Sequence, residues 1–395
     1  LKLGFVVQRY GLEIAGGAEY HCRLVAEHLA RHAQVEVLTT CARDYVSWAD
    51  HYPAGEERLN GVTVRRHPVQ RPRDRYAFRD WSARVMNGPH SREDELRWLD
   101  EEGPLSPALA AQVAARRDAY DALICFSYRY WTTWHALRAL PGRALLVPTA
   151  EDDGIYRLEI FRELFAQPRA IVWNSLEEKA MIERSHGPSR VPGDVVGVGS
   201  ALPASVDAAR FRSRHGIEGP FALYVGRIDA NKGCPELFEW FLRHRAQTGS
   251  ELRLVTIGEP LVPIPEDPGI VPLGFLPDQD KWDALDACEL LVMPSRYESL
   301  SMVTLEAFWA RRPVLANARA EVLRGQCRRA QAGLYYATED EFHEALALLE
   351  AQPGLRAALG ENGRRYFEAN YAWDVIERKY LELLRPLVAA ERWAS

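Results

Sequence analysis

Short apolar runs alternate with stretches of helical periodicity along most of this chain. Residues 3–7, 35–39, 61–65, 122–126, 143–147, 170–173 and 194–198 read as strands, bounded by polar or Gly-rich exits. Residues 18–30 carry a helical stripe of Cys22, Val25 and Leu29, and further helices are predicted over 110–117, 158–165 and 175–184, the last with a capping box from Ser175 to Glu178. Regular periodicity then stops. Residues 199–220 are rich in Gly, Pro, Ser and charge, as expected of an interdomain connection. Alternation resumes with strands at 221–225, 252–257, 271–273 and 290–293, an edge or core segment at 333–336, and helices over 302–311, 341–350, 355–367 and 373–384. The predicted class is α/β: two Rossmann-like units, each built mainly on a parallel sheet, facing a central cleft. The domains are expected at 1–205 and 206–370, with 371–395 returning as a helix across the first.

One stretch interrupts the first unit. Residues 67–107 are rich in Arg, Asp, Glu and Trp, with helices expected at 76–85 and 93–98. The aromatic residues Tyr76, Phe78, Trp81 and Trp98 suit a lid over a sugar or an apolar acceptor, since aromatic faces stack on such groups; a solvated charged surface is the competing reading.

Composition narrows the class. The 395 residues are 47% hydrophobic and 26% charged, and a net charge of −6 gives no general reason to expect nucleic acid. Six cysteines lie scattered without metal-ligand spacing, which suggests buried thiols in a reducing compartment. No signal-peptide pattern opens the sequence, and no apolar run is long enough to span a bilayer. A cytoplasmic location is expected, with contact at a membrane surface left open.

Candidate chemistry concentrates at strand exits. Glu298 leaves the run at 290–293 and Glu306 follows on the next helix, whose first N–H groups at 301–304, around Leu300, Ser301 and Met302, suit a phosphate. Carboxylates accept hydroxyls rather than phosphate, so the ligand carries both: a nucleotide attached to a sugar. A capping or solvated role is the alternative for either glutamate. After the strand at 221–225, Arg227 and Lys232 bracket a diphosphate from two directions, one as a planar fork and the other as a compact charge. Gly16 and Gly17 precede the first helix and allow close approach of a ligand, without the G-x-G-x-x-G spacing of a dinucleotide site. Asp278 and Asp280 form a D-x-D string at a helix start, where Asp caps or favours the dipole; no metal site is assigned.

The order Glu298, seven residues, Glu306, then Pro313 and Val314 resembles the retaining glycosyltransferases of GT-B family 4. The resemblance implies that Glu298 touches donor-sugar hydroxyls, Glu306 the ribose, Arg227 and Lys232 the pyrophosphate, and Gly16 and Gly17 the same diphosphate from the first domain. It implies that Gly274, Phe275 and Leu276 border the base, with Glu321, Val322 and Leu323 beyond the donor pocket. Two departures stand out. The family's His, after a Thr and one further residue, is replaced by Glu151, with Asp152 beside it; Glu151 is expected to orient an acceptor hydroxyl, bind a cationic group or hold the loop. Arg311 and Arg312 occupy a turn where the family commonly has Gly. The implied activity is transfer of a sugar from a nucleoside diphosphate, UDP slightly favoured over GDP, to a hydroxyl of a glycan, lipid-linked or small-molecule acceptor, with retained configuration and no cofactor. A nucleotide-sugar epimerase, a phosphorylase and a non-catalytic binding protein are the alternatives.

Overall fold

In the computed structural model, residues 1–14, 16–140 and 142–388 are described. They form two compact units, Leu1–Gly199 with the segment from Trp373, and Ser200–Ala372. The first unit carries β1 (Lys2–Val6), β2 (Gln34–Thr40), β3 (Gly55–Leu59), β4 (Val62–His67), β5 (Ala122–Phe126), β6 (Ala144–Val147), β7 (Ala170–Trp173) and β8 (Gly193–Val195). Their order is β3-β4-β2-β1-β5-β6-β7-β8, parallel throughout except where β3 turns back on β4. The central strands are buried at every position, ALICF in β5, ALLV in β6 and AIVW in β7, because helices cover both faces.

Polar residues are built into this core as well, Glu36 among them. Glu36 of β2 is 2% exposed and meets Lys2 Nζ at 2.6 Å, Arg116 Nη2 at 2.9 Å, Arg65 Nε at 3.1 Å and the Tyr120 hydroxyl at 2.8 Å. Burial alone raises its pKa, yet the hydrogen bonds from Lys2, Tyr120 and Arg65 outweigh it and hold the carboxyl at about 2.

The second sheet consists of β9 (Phe221–Val225), β10 (Arg253–Ile257), β11 (Ile270–Pro272), β12 (Leu290–Met293), β13 (Val314–Asn317) and β14 (Gly333–Tyr336). All neighbours are parallel, in the order β11-β10-β9-β12-β13-β14. The terminal helix Trp373–Leu384 packs on the first unit. The His28 ring stacks on Trp373 with centroids 3.5 Å apart, and His28 Nδ1 and His32 Nε2 each lie 2.7 Å from the Glu377 carboxylate.

Several elements depart from the sequence reading. β3, sequence GEERL, is an exposed edge with no apolar face, so periodicity gave no signal. The connecting stretch contains a helix, Ala208–His215, started by Asp207 and anchored by the buried Phe211 alone. Trp131–Ala139 is a helix to which the sequence pattern assigned no element. The insertion forms helices Arg75–Asn87 and Arg92–Glu102, capped by Asp74 and by the Ser91/Asp94 capping box. Within it Trp98 is fully buried with Val85 in the main core and donates from Nε1 to Ser82 Oγ at 3.1 Å, while Phe78 and Trp81 pack against that core. Of the four aromatics proposed to meet a ligand, Tyr76 is the open one, at 73% exposure; Trp98 is a core residue. All six cysteines are buried and free. Among the described residues no helix is long and apolar enough to cross a membrane.

Candidate functional site

In the second sheet β9 has β10 on one side and β12 on the other, so the chain moves outward in opposite directions from this strand pair. Loops leaving the C-terminal ends of β9 and β12 therefore diverge, which in open parallel sheets leaves a crevice for a ligand. The loops are set close by glycine. A Cβ on Gly233, which has φ 76°, would lie 2.4 Å from the Pro294 carbonyl oxygen, and one on Gly258 would lie 1.9 Å from that of Gly226. Neither position accepts a side chain.

Lys232 and Glu298 are brought together here. Lys232 Nζ lies 2.8 Å from Glu298 Oε1, with the side chains 26% and 11% exposed. Arg227 Nη2 is 3.5 Å from Asp229 Oδ2, and the Lys232 backbone N–H donates to Asp229 Oδ1 at 2.8 Å. The Tyr224 hydroxyl donates to the Arg227 carbonyl at 2.6 Å and so steadies the loop from the buried strand beneath. Each predicted cation thus already faces a carboxylate, and Asp229 is a loop-shaping residue that the sequence reading passed over.

Glu306 sits on helix Met302–Trp309, whose first turn is capped by Ser301; the Thr304 hydroxyl donates to Ser301 Oγ at 2.9 Å. Glu306 is 3% exposed and accepts from Lys281 Nζ at 2.9 Å. Burial raises its pKa, and the Lys281 charge and hydrogen bond oppose that rise. Lys281 was also missed, since it lies twenty-five positions away on helix Asp278–Ala287. Leu300 and Met302, flanking the cap, are half-buried. The Gly274 carbonyl accepts from Gly258 N at 2.8 Å, which places 274–276 beside the β10 exit; Phe275 is 76% exposed and Leu276 half-buried.

The remaining motif residues are accounted for locally. Asp280 is buried against Arg214 Nη1 at 2.5 Å, and Asp278 lies 3.7 Å from Lys281 Nζ. Among the described residues no group of three or more His, Cys, Asp or Glu is arranged to hold a metal. Arg311 takes φ 57°, so the turn where Gly was expected keeps its left-handed backbone with a side chain in place. Glu321 opens helix Glu321–Ala330, on which Val322 and Leu323 are buried.

The first sheet has the same kind of reversal, between β1 and β5. Gly16 precedes helix Gly17–Leu29, and a Cβ there would lie 2.2 Å from Glu19 Oε2 and 2.9 Å from Arg9 Nη2. Beneath it Glu19 accepts from Gln8 Nε2 at 2.9 Å and Arg9 Nε at 2.8 Å, a buried ion pair joining the β1 exit to the helix start. Gly17 is open: nothing lies within 4 Å of a Cβ built on it. At the exits of β5 and β6, Ser127 and Thr149 both adopt positive φ, 66° and 52°, and their hydroxyls lie 2.8 Å apart. Strained non-glycine residues of this kind cluster at functional sites. Glu151 and Asp152 follow, both exposed. Asp152 accepts from the Tyr156 hydroxyl at 2.9 Å, and neighbouring Asp153 binds Arg129 Nη1 at 2.7 Å. Arg129 in turn donates to Glu102 of the insertion at 2.6 Å.

Comparison with known proteins bears on this arrangement. Residues 205–366 match the family model described as Glycosyl transferases group 1. The chain is 30% identical over 252 residues to a D-inositol 3-phosphate glycosyltransferase of Rhodococcus opacus, covering 57% of this chain and 54% of that protein. It is 33% identical over 126 residues to an alpha-D-kanosaminyltransferase of Streptomyces kanamyceticus, covering 28% of this chain and 31% of that one. The chain thus spans about half the length, or less, of these relatives. Over 98% of both chains the structure resembles a sucrose-phosphate synthase from Thermosynechococcus elongatus, with TM-score 0.68 at 17% identity. It also resembles the Anabaena protein HepE in complex with UDP-glucose, with TM-score 0.67 at 15% identity over 98% of this chain and 99% of that one. The two Rossmann-like units have the GT-B fold of these structures, and residues 205–366 are similar to the group 1 glycosyl transferase family.

Proposed function

We propose that this protein is a retaining glycosyltransferase that moves a sugar from a nucleoside diphosphate to an acceptor hydroxyl. The reading rests on one observation above all: Lys232 and Glu298 meet at 2.8 Å at the β9/β12 reversal, with Arg227 on the same loop. Such a pair offers a cation for phosphate beside a carboxylate for sugar hydroxyls. Glu306 takes the ribose, Gly274–Leu276 border the base, and Gly16 and Gly17 approach the diphosphate. As the donor bond breaks, Arg227 and Lys232 neutralise charge growing on the leaving phosphate. No residue is assigned as a covalent nucleophile, so the acceptor attacks from the face the phosphate leaves and gives its proton to that phosphate. Glu151, with Asp152 alongside, orients the acceptor or the sugar.

Relatives named for inositol phosphate and kanosamine transfer, and fold neighbours solved with UDP-sugars, support a nucleotide-sugar donor, with UDP favoured over GDP. The protein would work without a metal and in the cytoplasm, at the membrane surface if the acceptor is lipid-linked. The test is calorimetry with UDP-glucose and GDP-mannose, followed by product analysis with an acceptor panel and NMR of the product anomer. Donor binding with an inverted anomer would overturn the retaining assignment. Donor interconversion without acceptor would mark an epimerase, and absence of donor binding would overturn the reading as a whole.

A further inference from the structure

Glu178, the third residue of helix Leu176–His186, is 1% exposed. Its backbone N–H donates to Ser175 Oγ at 3.0 Å, the cap bond expected from the sequence, but its carboxylate reaches well beyond a cap. Oε1 accepts the Ala150 backbone N–H at 2.6 Å, and Oε2 accepts that of Asn174 at the same distance. The Asn174 side-chain amide adds a third bond to Oε1 at 3.1 Å. Ala150 follows β6 and Asn174 follows β7, so one side chain ties two neighbouring strand exits to a helix start. On the far side of the same loop, Thr149 is held by Ser127.

We propose that Glu178 is a positioning residue for the transfer reaction, fixing through Ala150 and Asn174 the β6 exit that carries Glu151 and Asp152. The inference rests on the functional reading of that exit given above. Two backbone N–H donors facing one side chain require two acceptor oxygens, which a carboxylate has and an amide lacks. Glutamine in the same place would turn its NH2 group toward one of these donors. Loop geometry, rather than fold, is what that exchange disturbs.

The clamp has a second form. Burial pushes the Glu178 pKa up to about 8 in spite of the lowering by the Asn174 and Ala150 N–H groups. Glu151 on the loop and Tyr380 on the terminal helix are the other titratable groups facing it. When protonated, Glu178 must give its O–H to an acceptor. Asn174 Oδ1, buried and without a partner among the described residues, becomes that acceptor if the amide turns over. The ionised form holds both backbone N–H groups and the protonated form loosens one, so the loop tightens as pH rises.

The test is E178Q beside the wild type over about pH 6 to 9. Three signals are read: amide exchange of residues 149–153, affinity for UDP, and turnover of UDP-glucose per folded molecule. Loss of one such hydrogen bond should speed exchange at Ala150 and lower kcat by about tenfold, with the UDP affinity and donor KM unchanged. The wild-type rise in kcat through mildly alkaline pH should be missing from the variant. Equal kcat profiles, or equal exchange at Ala150, would overturn the proposal. If E178Q does not fold, the wild-type amide resonances of Ala150 and Asn174 decide: they shift together with pH if the clamp titrates, and a flat response overturns it. Failure of the wild type to bind UDP would instead sink the transferase reading, on a separate signal.

Discussion

Replacing Glu298 by Gln should have opposite effects on two related ligands. In the structure Lys232 Nζ and Glu298 Oε1 are 2.8 Å apart, and neither side chain is more than 26% exposed. At an effective dielectric of about 20 the Coulomb attraction across such a gap is roughly 6 kcal/mol gross, most of it offset by the desolvation of both groups. A diphosphate arriving at Lys232 must share the ammonium with Glu298 and is also repelled by it. Removing the carboxylate charge should return ~1–2 kcal/mol of that competition to a bare nucleoside diphosphate, a gain of about 5- to 30-fold in affinity. A sugar-bearing donor gains the same at its phosphates but loses a charge-assisted acceptor for its hydroxyls, which costs about 1.5–3 kcal/mol. Calorimetry with UDP and UDP-glucose, or with GDP and GDP-mannose if that pair binds, should therefore show the bare nucleotide binding more tightly. The preference for complete donor over nucleotide should fall by about tenfold or more. Equal weakening of both ligands, or no change in UDP, would show that Lys232 and Glu298 do not share this duty.

Arg227→Ala and Lys232→Ala should each weaken donor binding, by about 2–5 kcal/mol if the lost contact is charge-assisted and desolvated, with thermal stability retained; unchanged calorimetric affinity and turnover in both would remove the diphosphate assignment. Glu306→Gln should erase most of the preference for UDP over its deoxyribose analogue, and an undiminished preference would separate Glu306 from the ribose. Glu36 tests acid stability. Its folded pKa of about 2 lies below the unfolded value of 4.5, so its contribution is present above the unfolded value and is lost as pH falls between the two. Melting temperature followed over that window should drop for the wild type and vary less for Glu36→Gln; parallel curves would rule the cluster out as the source. Glu151→His should change turnover far more than UDP affinity, and an equal effect on both would place Glu151 with the phosphates.

Strand positions were legible because β5, β6, β7 and β12 are buried on both faces and so read as unbroken apolar runs. β3 and helix Ala208–His215 were illegible for the opposite reason: one has no buried side chain and the other has Phe211 alone. At the candidate site the sequence could say which exit a residue follows, but not which residue it meets. Glu298 was placed on a strand exit and Glu306 on the next helix, but the lysine that each meets, Lys232 from the neighbouring strand exit and Lys281 from the preceding helix, was not visible in the sequence. The Arg9–Glu19 and Glu178–Ala150 contacts escaped in the same way, because no periodicity links residues joined only by neighbouring strand ends. Capping chemistry pointed at Ser175 and Glu178, but it gave no hint of how far the carboxylate extends.

The near-contact of Gly258 with the Gly226 carbonyl bears on how this family of shapes can diversify. Two exit loops that interlock through bare backbone cannot drift in composition without pushing each other apart, so a substitution there is paid for in fold before it is seen in selectivity. The neighbouring Gly274–Leu276 segment is under no such restraint: a Cβ on Gly274 meets nothing within 4 Å, although its φ of 69° makes any side chain there strained, and Phe275 points largely into solvent. Positions 226, 233 and 258 are therefore fixed as glycine by the backbone around them, whereas exposed Phe275 can change without disturbing the loops beside it.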